Sequence, residues 1–151
     1  MPRRAVRARE YEEEDLPQTT LFQRVGWVVL AAVWTFLVVS LASFDSADWP
    51  SHTVAVHNEP TRNLCGVAGG LAAYHSYHVI GVGSWVILAG GAGFLAMAAA
   101  RRELCNPLVR AFGVLLMAVS VSGGHALLAP QVGSLAGAPA GLVGGFIVGE
   151  L

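Results

Sequence analysis

Apolar and polar positions in this chain come in blocks rather than alternating. Val25–Phe44 is 20 residues without a charge, bounded by Arg24 and Asp45. Coiled as a helix, such a run covers about 30 Å, the thickness of a bilayer's hydrocarbon core. It is therefore expected to span a membrane. Phe44–Asn63 is a polar connector punctuated by Asp, Pro, Ser and Asn. Leu64–Ala100 is then 37 uncharged residues, too long for one span. Gly81 and Gly83 divide it. Val79–Ala100 is expected to cross, while the glycine-rich, aromatic stretch Leu64–His78 suits an interfacial or re-entrant helix. Arg101–Pro107 reads as a tight polar turn. Leu108–Ala129 is the next expected span, with Arg110 reaching from its start toward the headgroups, and Pro130 closes it. The Gly/Ala-rich end, 135–151, reads as an incomplete segment of the interfacial kind.

The expected fold class is an all-α integral membrane protein. It is a bundle of three to four transmembrane helices with glycine-rich interfacial helices between the spans. Two parts are expected: a polar tail over 1–24 and a membrane domain over 25–151. The tail carries a basic block, "RRAVRAR", then an acidic one, "EYEEED". That composition predicts a mobile, unpacked segment. It is not a cleavable signal, because the first apolar run starts late and is too long.

Composition supports this division. The chain is 54% hydrophobic and 13% charged, with a mean hydropathy of +0.57, which excludes an ordinary soluble domain. All nine basic residues are Arg. Five stand in the tail and three in the 101–110 turn, against one, Arg62, in the first connector. The positive-inside rule then places Arg24, Arg101 and Arg102 on the cytoplasmic side and the connector outside. No basic patch suits nucleic acid. No G-x-x-x-x-G-K-[ST] loop is possible in a chain without Lys.

A repeat runs through the glycines. "LCGVAGGL" (Leu64–Leu71) and "LAGAPAGL" (Leu135–Leu142) share L-x-G-x-x-x-G-L, displaced by 71 residues. Each follows a span and an outward connector, which predicts a duplicated unit. In that register Leu151 aligns with Ile80, so the chain is expected to continue naturally into another span. Gly66 with Gly70, and Gly137 with Gly141, form G-x-x-x-G pairs that are candidate helix-packing contacts.

These residues resemble the N-terminal membrane domain of the FtsK/SpoIIIE DNA translocases. "SFDSADWP" (Ser43–Pro50) resembles the family's stretch leaving the first span. Asn63, Gly66, Gly69, Gly70 and Ala73 fit its N-x-G-G-x-x-G-A-x-x-A pattern, and Gly81 fits the later glycine. Tyr74 stands where members often have Asp, and His75 and His78 where they have apolar residues. The resemblance covers Leu21–Leu151. It implies a four-span anchor that precedes a RecA-like motor absent here. It also implies the bacterial cytoplasmic membrane, the division septum, and a role linking chromosome segregation to division. The implied partners are the lipid bilayer, further copies of the chain and septal proteins, without direct DNA contact. The chain itself is expected to be no enzyme and to need no cofactor; ATP and Mg belong to the motor.

A different function class stays open beside that one. In "YHSYH", His75 and His78 stand one turn apart, and two imidazoles so placed could ligate metal or haem. His52, His57 and Cys65 lie on the same expected side. The plainer reading is an aromatic belt of amphipathic side chains at the headgroup level. Cys65 and Cys105 are expected on opposite faces and so unpaired. His125 lacks a carboxylate partner, and no catalytic constellation is legible.

Overall fold

The computed structural model describes residues 21–51, 55–100, 106–128 and 140–149. His52, Arg101, Arg102, Cys105, Gly137 and the 1–20 part of the tail lie outside the described residues. Five helices occur in order: α1 (Leu21–Ala42), α2 (Gly66–Val79), α3 (Gly83–Ala99), α4 (Pro107–Leu128) and α5 (Gly141–Gly149). Among the described residues there is no strand. The chain up to Leu30 forms one unit and the chain from Ala31 a second. In the first, Leu21–Leu30 is exposed helix throughout. The second holds the packed helices.

Two helices, α1 and α4, each of 22 residues, are individually long and apolar enough to cross a membrane. Helices α2 and α3 meet at a bend of 112° and together qualify as a third crossing or a re-entrant loop. The bend sets α2 close to perpendicular to α3. If α3 runs along the membrane normal, α2 lies near the membrane plane. Helix α3 has 17 residues, at the short end of what spans a bilayer.

The boundaries differ from the sequence expectation for local reasons. Helix α1 takes in Arg24 and starts at Leu21, since an exposed Arg near a helix start costs little there. The break between α2 and α3 falls at Gly81, whose φ of +68° an L side chain rarely adopts. Val79 therefore ends α2 and does not open α3. Asn106, at φ 51°, precedes Pro107, which suits the first helical position because it has no N–H to satisfy.

Packing is inverted relative to a soluble domain. Many of the most buried side chains are polar or small, Ser40, Asp48, Ser51, Asn63, Ala73, Ser84 and Ser122, beside a small apolar cluster of Leu41, Tyr74, Tyr77 and Leu88. Large apolar side chains face outward, among them Leu108 at 84% exposure and Leu128 at 88%. Lipid rewards such a surface, and small residues let backbones approach inside it. Gly90 is one such place: a Cβ there would stand 2.6 Å from Val114 Cγ1 of α4. Gly91 faces the Trp34 ring of α1, and Trp34 Nε1 donates to Leu88 O at 2.9 Å.

Candidate functional site

The most highly organised polar structure lies where α1 ends and α2 begins. A helix end leaves carbonyls without intrahelical donors, and lipid supplies none. Here side chains supply them. Asn63 Nδ2 donates to Ser40 O at 2.8 Å and to Ser43 O at 3.3 Å. Tyr77 OH donates to Leu41 O at 3.2 Å. Ser43 Oγ and the Ser43 N–H both donate to Val39 O. Asn63 also serves the next helix. Its Oδ1 accepts from Cys65 N at 3.0 Å, and its backbone carbonyl accepts from Gly66 N at 2.8 Å. One side chain thus fastens the end of α1 to the start of α2.

Asp48 holds Asn63 in place. Its carboxylate accepts from Asn63 N, Arg62 N and Asn58 Nδ2, each at 2.9 Å. Asp48 is 1% exposed. Burial alone pushes its pKa up, but the hydrogen bonds from Arg62, Asn58 and Asn63, with the Arg62 charge, outweigh it and leave the group below its ordinary value. Arg62 pairs with Asp45 at 3.5 Å, largely in the open.

Glycines make room for this knot. A Cβ at Gly69 would collide with Asn63 Oδ1 and Cys65 Cβ and stand 3.0 Å from Ser40 Oγ. A Cβ at Gly70 would stand 3.3 Å from Trp49 O. Gly66, paired with Gly70 as a packing contact on sequence grounds, is placed differently. It opens α2 at φ +65° with open space where a Cβ would point. Its role inside this chain is conformational. The close contacts fall to Gly69, which the G-x-x-x-G spacing passes over; the recurring Gly-Gly doublets at 69–70, 90–91, 123–124 and 144–145 were the signal for it.

A second fastening sits at the elbow. Ser122 of α4 accepts from Gly83 N at 3.1 Å and donates a short bond to Ile80 O. Ser84 Oγ donates to Ser76 O at 3.0 Å across the same bend. Gly81 there touches Ala140 and Gly141 backbone to backbone. Gly141 opens α5 at φ +67°, as Gly66 opens α2, and G-x-x-G-G follows in both (Gly66–Gly70, Gly141–Gly145). A Cβ at Gly144 would meet Ser122 O at 2.8 Å, as one at Gly69 would meet Ser40. The duplication is thus visible in the backbone, but it pairs Gly66 with Gly141. The L-x-G-x-x-x-G-L match pairs Gly66 with Gly137, a different register.

The histidines belong to neither fastening. Tyr74 stacks on His78 with ring centroids 5.6 Å apart and meets His75 edge-on at 5.4 Å. His75 is exposed and His78 half-buried. His57 Nε2 lies 2.7 Å from Ser51 O, and Cys65 Sγ lies 3.8 Å from Phe36 O. Among the described residues no three His, Cys, Asp or Glu side chains are grouped to hold a metal ion. His125 Nδ1 is buried, with no hydrogen-bond partner among the described residues.

Outward apolar faces, small residues inside and polar side chains spent on helix ends define a helical membrane domain. Its chemistry is structural: these residues cap, turn and fasten helices. The family described as the 4TM region of DNA translocase FtsK/SpoIIIE matches residues 19–151. The chain belongs to that family. No curated protein and no solved structure matches it. Both stretches that carried the resemblance, Ser43–Pro50 and Asn63–Ala73, meet in the Asp48–Asn63 knot.

Proposed function

We propose that this domain is the membrane anchor and assembly module of a septal DNA translocase, joining chromosome segregation to cell division. The observation that carries the reading is the family match over 19–151. The rigid, capped connector end agrees with it, since an anchor needs a fixed frame more than a moving part. The Arg distribution supports a cytoplasmic N-terminus in a bacterial cytoplasmic membrane, with the Asp48–Asn63 knot facing outward. The domain crosses the bilayer several times and works with lipid, further copies of itself and septal proteins. It makes no direct DNA contact and takes no cofactor of its own. ATP hydrolysis belongs to a motor domain, since this chain has no Lys for a phosphate-binding loop.

The test is expression of the tagged chain in dividing bacteria, with ATPase assays on the purified protein. Membrane fractionation, mid-cell concentration and no ATP hydrolysis are expected. An even distribution around the envelope moves septal recruitment out of this domain. Turnover of ATP removes the anchor reading.

A further inference from the structure

A crevice lies beneath the elbow, bordered by the Ser76–Ser84 bond of the second fastening. Leu37 and Leu41 of α1, Ile80 after α2, and Ile87 and Leu88 of α3 line a cavity of about 90 Å³. Ser76 and Ser84 complete the lining, and neither leaves its hydroxyl hydrogen free. Ser76 Oγ donates to Ala72 O at 2.8 Å, and Ser84 Oγ donates to Ser76 O at 3.0 Å. The walls therefore present hydrocarbon.

Depth identifies the occupant. Leu41 stands at the connector end of α1 and Leu37 one turn deeper; Ile87 and Leu88 lie one turn into α3. With α1 spanning a bilayer, these positions put the crevice within the apolar layer. The helices that line it also carry exposed apolar side chains, Val33 and Phe36 on α1 and Trp85 on α3. Water does not settle in a site without polar partners. An empty gap loses dispersion contacts on every wall. The material free to enter at this depth is lipid tail. A dry cavity of about 150 Å³ holds a benzene ring, so this one suits a short run of methylenes, whereas a helix from another copy would need a longer groove.

We propose that the crevice holds part of an acyl chain of a bilayer phospholipid, wedged between α1 and α3 under α2. The proposal rests on the chain being in a bilayer, and not on its septal role.

The full chain, reconstituted in phosphatidylcholine nanodiscs doped with a phosphatidylcholine bearing a diazirine in its acyl chain, provides the test. After irradiation, peptide mass spectrometry is expected to find Leu37 and Ile87 labelled several-fold above Leu115 and Leu116, which are exposed on α4. Ile87→Trp fills the space and is expected to remove the excess at Leu37 while leaving the α4 labelling unchanged. Ile87→Ala widens the crevice and is expected to keep the excess, which covers the chance that the Trp variant misfolds. Equal labelling at all four positions overturns the crevice site while leaving the membrane domain intact. A disulfide-linked dimer from Ile87→Cys, with no excess label at Leu37, gives the crevice to a second copy and overturns the proposal as well. Absence of label everywhere takes the chain out of the bilayer, and both readings fall together.

Discussion

Asp48 Oδ2 accepts the backbone N–H of Asn63 at 2.9 Å, across 15 residues of connector, and both side chains are buried. Asn63 in turn reaches two carbonyls at the end of α1 and one N–H at the start of α2. Removing Asp48 therefore takes the acceptor from three donors, the buried Asn63 N–H and the part-buried Arg62 N–H and Asn58 Nδ2. Each buried donor left unpaired costs about 1–3 kcal/mol. Asp48→Ala is expected to lower the thermal midpoint in detergent well beyond Asp48→Asn, which keeps one acceptor oxygen. Equal losses in the two variants would show that the carboxylate's bonds carry little of the effect.

The same carboxylate sets an acid limit. Its pKa is lowered in the folded state from an ordinary value of about 3.9. A lowered carboxylate contributes stability that is fully present above that ordinary value and is lost as pH falls through the folded one. Melting midpoints are therefore expected to hold from neutral pH down to about 4 and to fall below it on this group's account. Asp48→Asn is expected to flatten that last step. An unchanged acid profile in the variant assigns the titration to another group.

Two glycines in one motif are expected to fail for different reasons. Gly66→Ala meets open space but must hold a left-handed backbone, a cost of about 1–2 kcal/mol. Gly69→Ala must displace Asn63 Oδ1 and Cys65 Cβ, and with them the staple. The larger drop in midpoint is expected for Gly69→Ala. The reverse order would mean that the knot yields more easily than the backbone.

Arg placement makes the topology testable. A reporter fused after Arg102 is expected to be active in the cytoplasm, and one fused after Pro50 outside it. The opposite result at either point overturns the orientation.

His75→Leu with His78→Leu is expected to leave membrane insertion unchanged, since the described residues place no third ligand beside them. Loss of a bound metal or haem chromophore in the double variant would restore the metal- or haem-binding reading.

Residue order alone was enough for the class of protein. Long uncharged runs have few ways to satisfy their backbone in lipid, so Val25–Phe44 and Leu108–Ala129 could be read as helices, and Gly81 and Gly83 as a break. The SFDSADWP and Asn63–Ala73 stretches carried the family. Which of these residues meet was settled only by the packed helices. Asp48 and Asn63 gave no sign of touching, because a connector of Pro, Ser and Asn has no periodicity from which a contact could be read. Gly69 outranked Gly66 only once Asn63 was seen across from it. Ser122 bridges Ile80 O and Gly83 N, a contact that nothing in the sequence of its span marks. Burial in lipid follows composition along one helix and is local. The capping of helix ends depends on partners from distant segments, and those are set only when the helices pack.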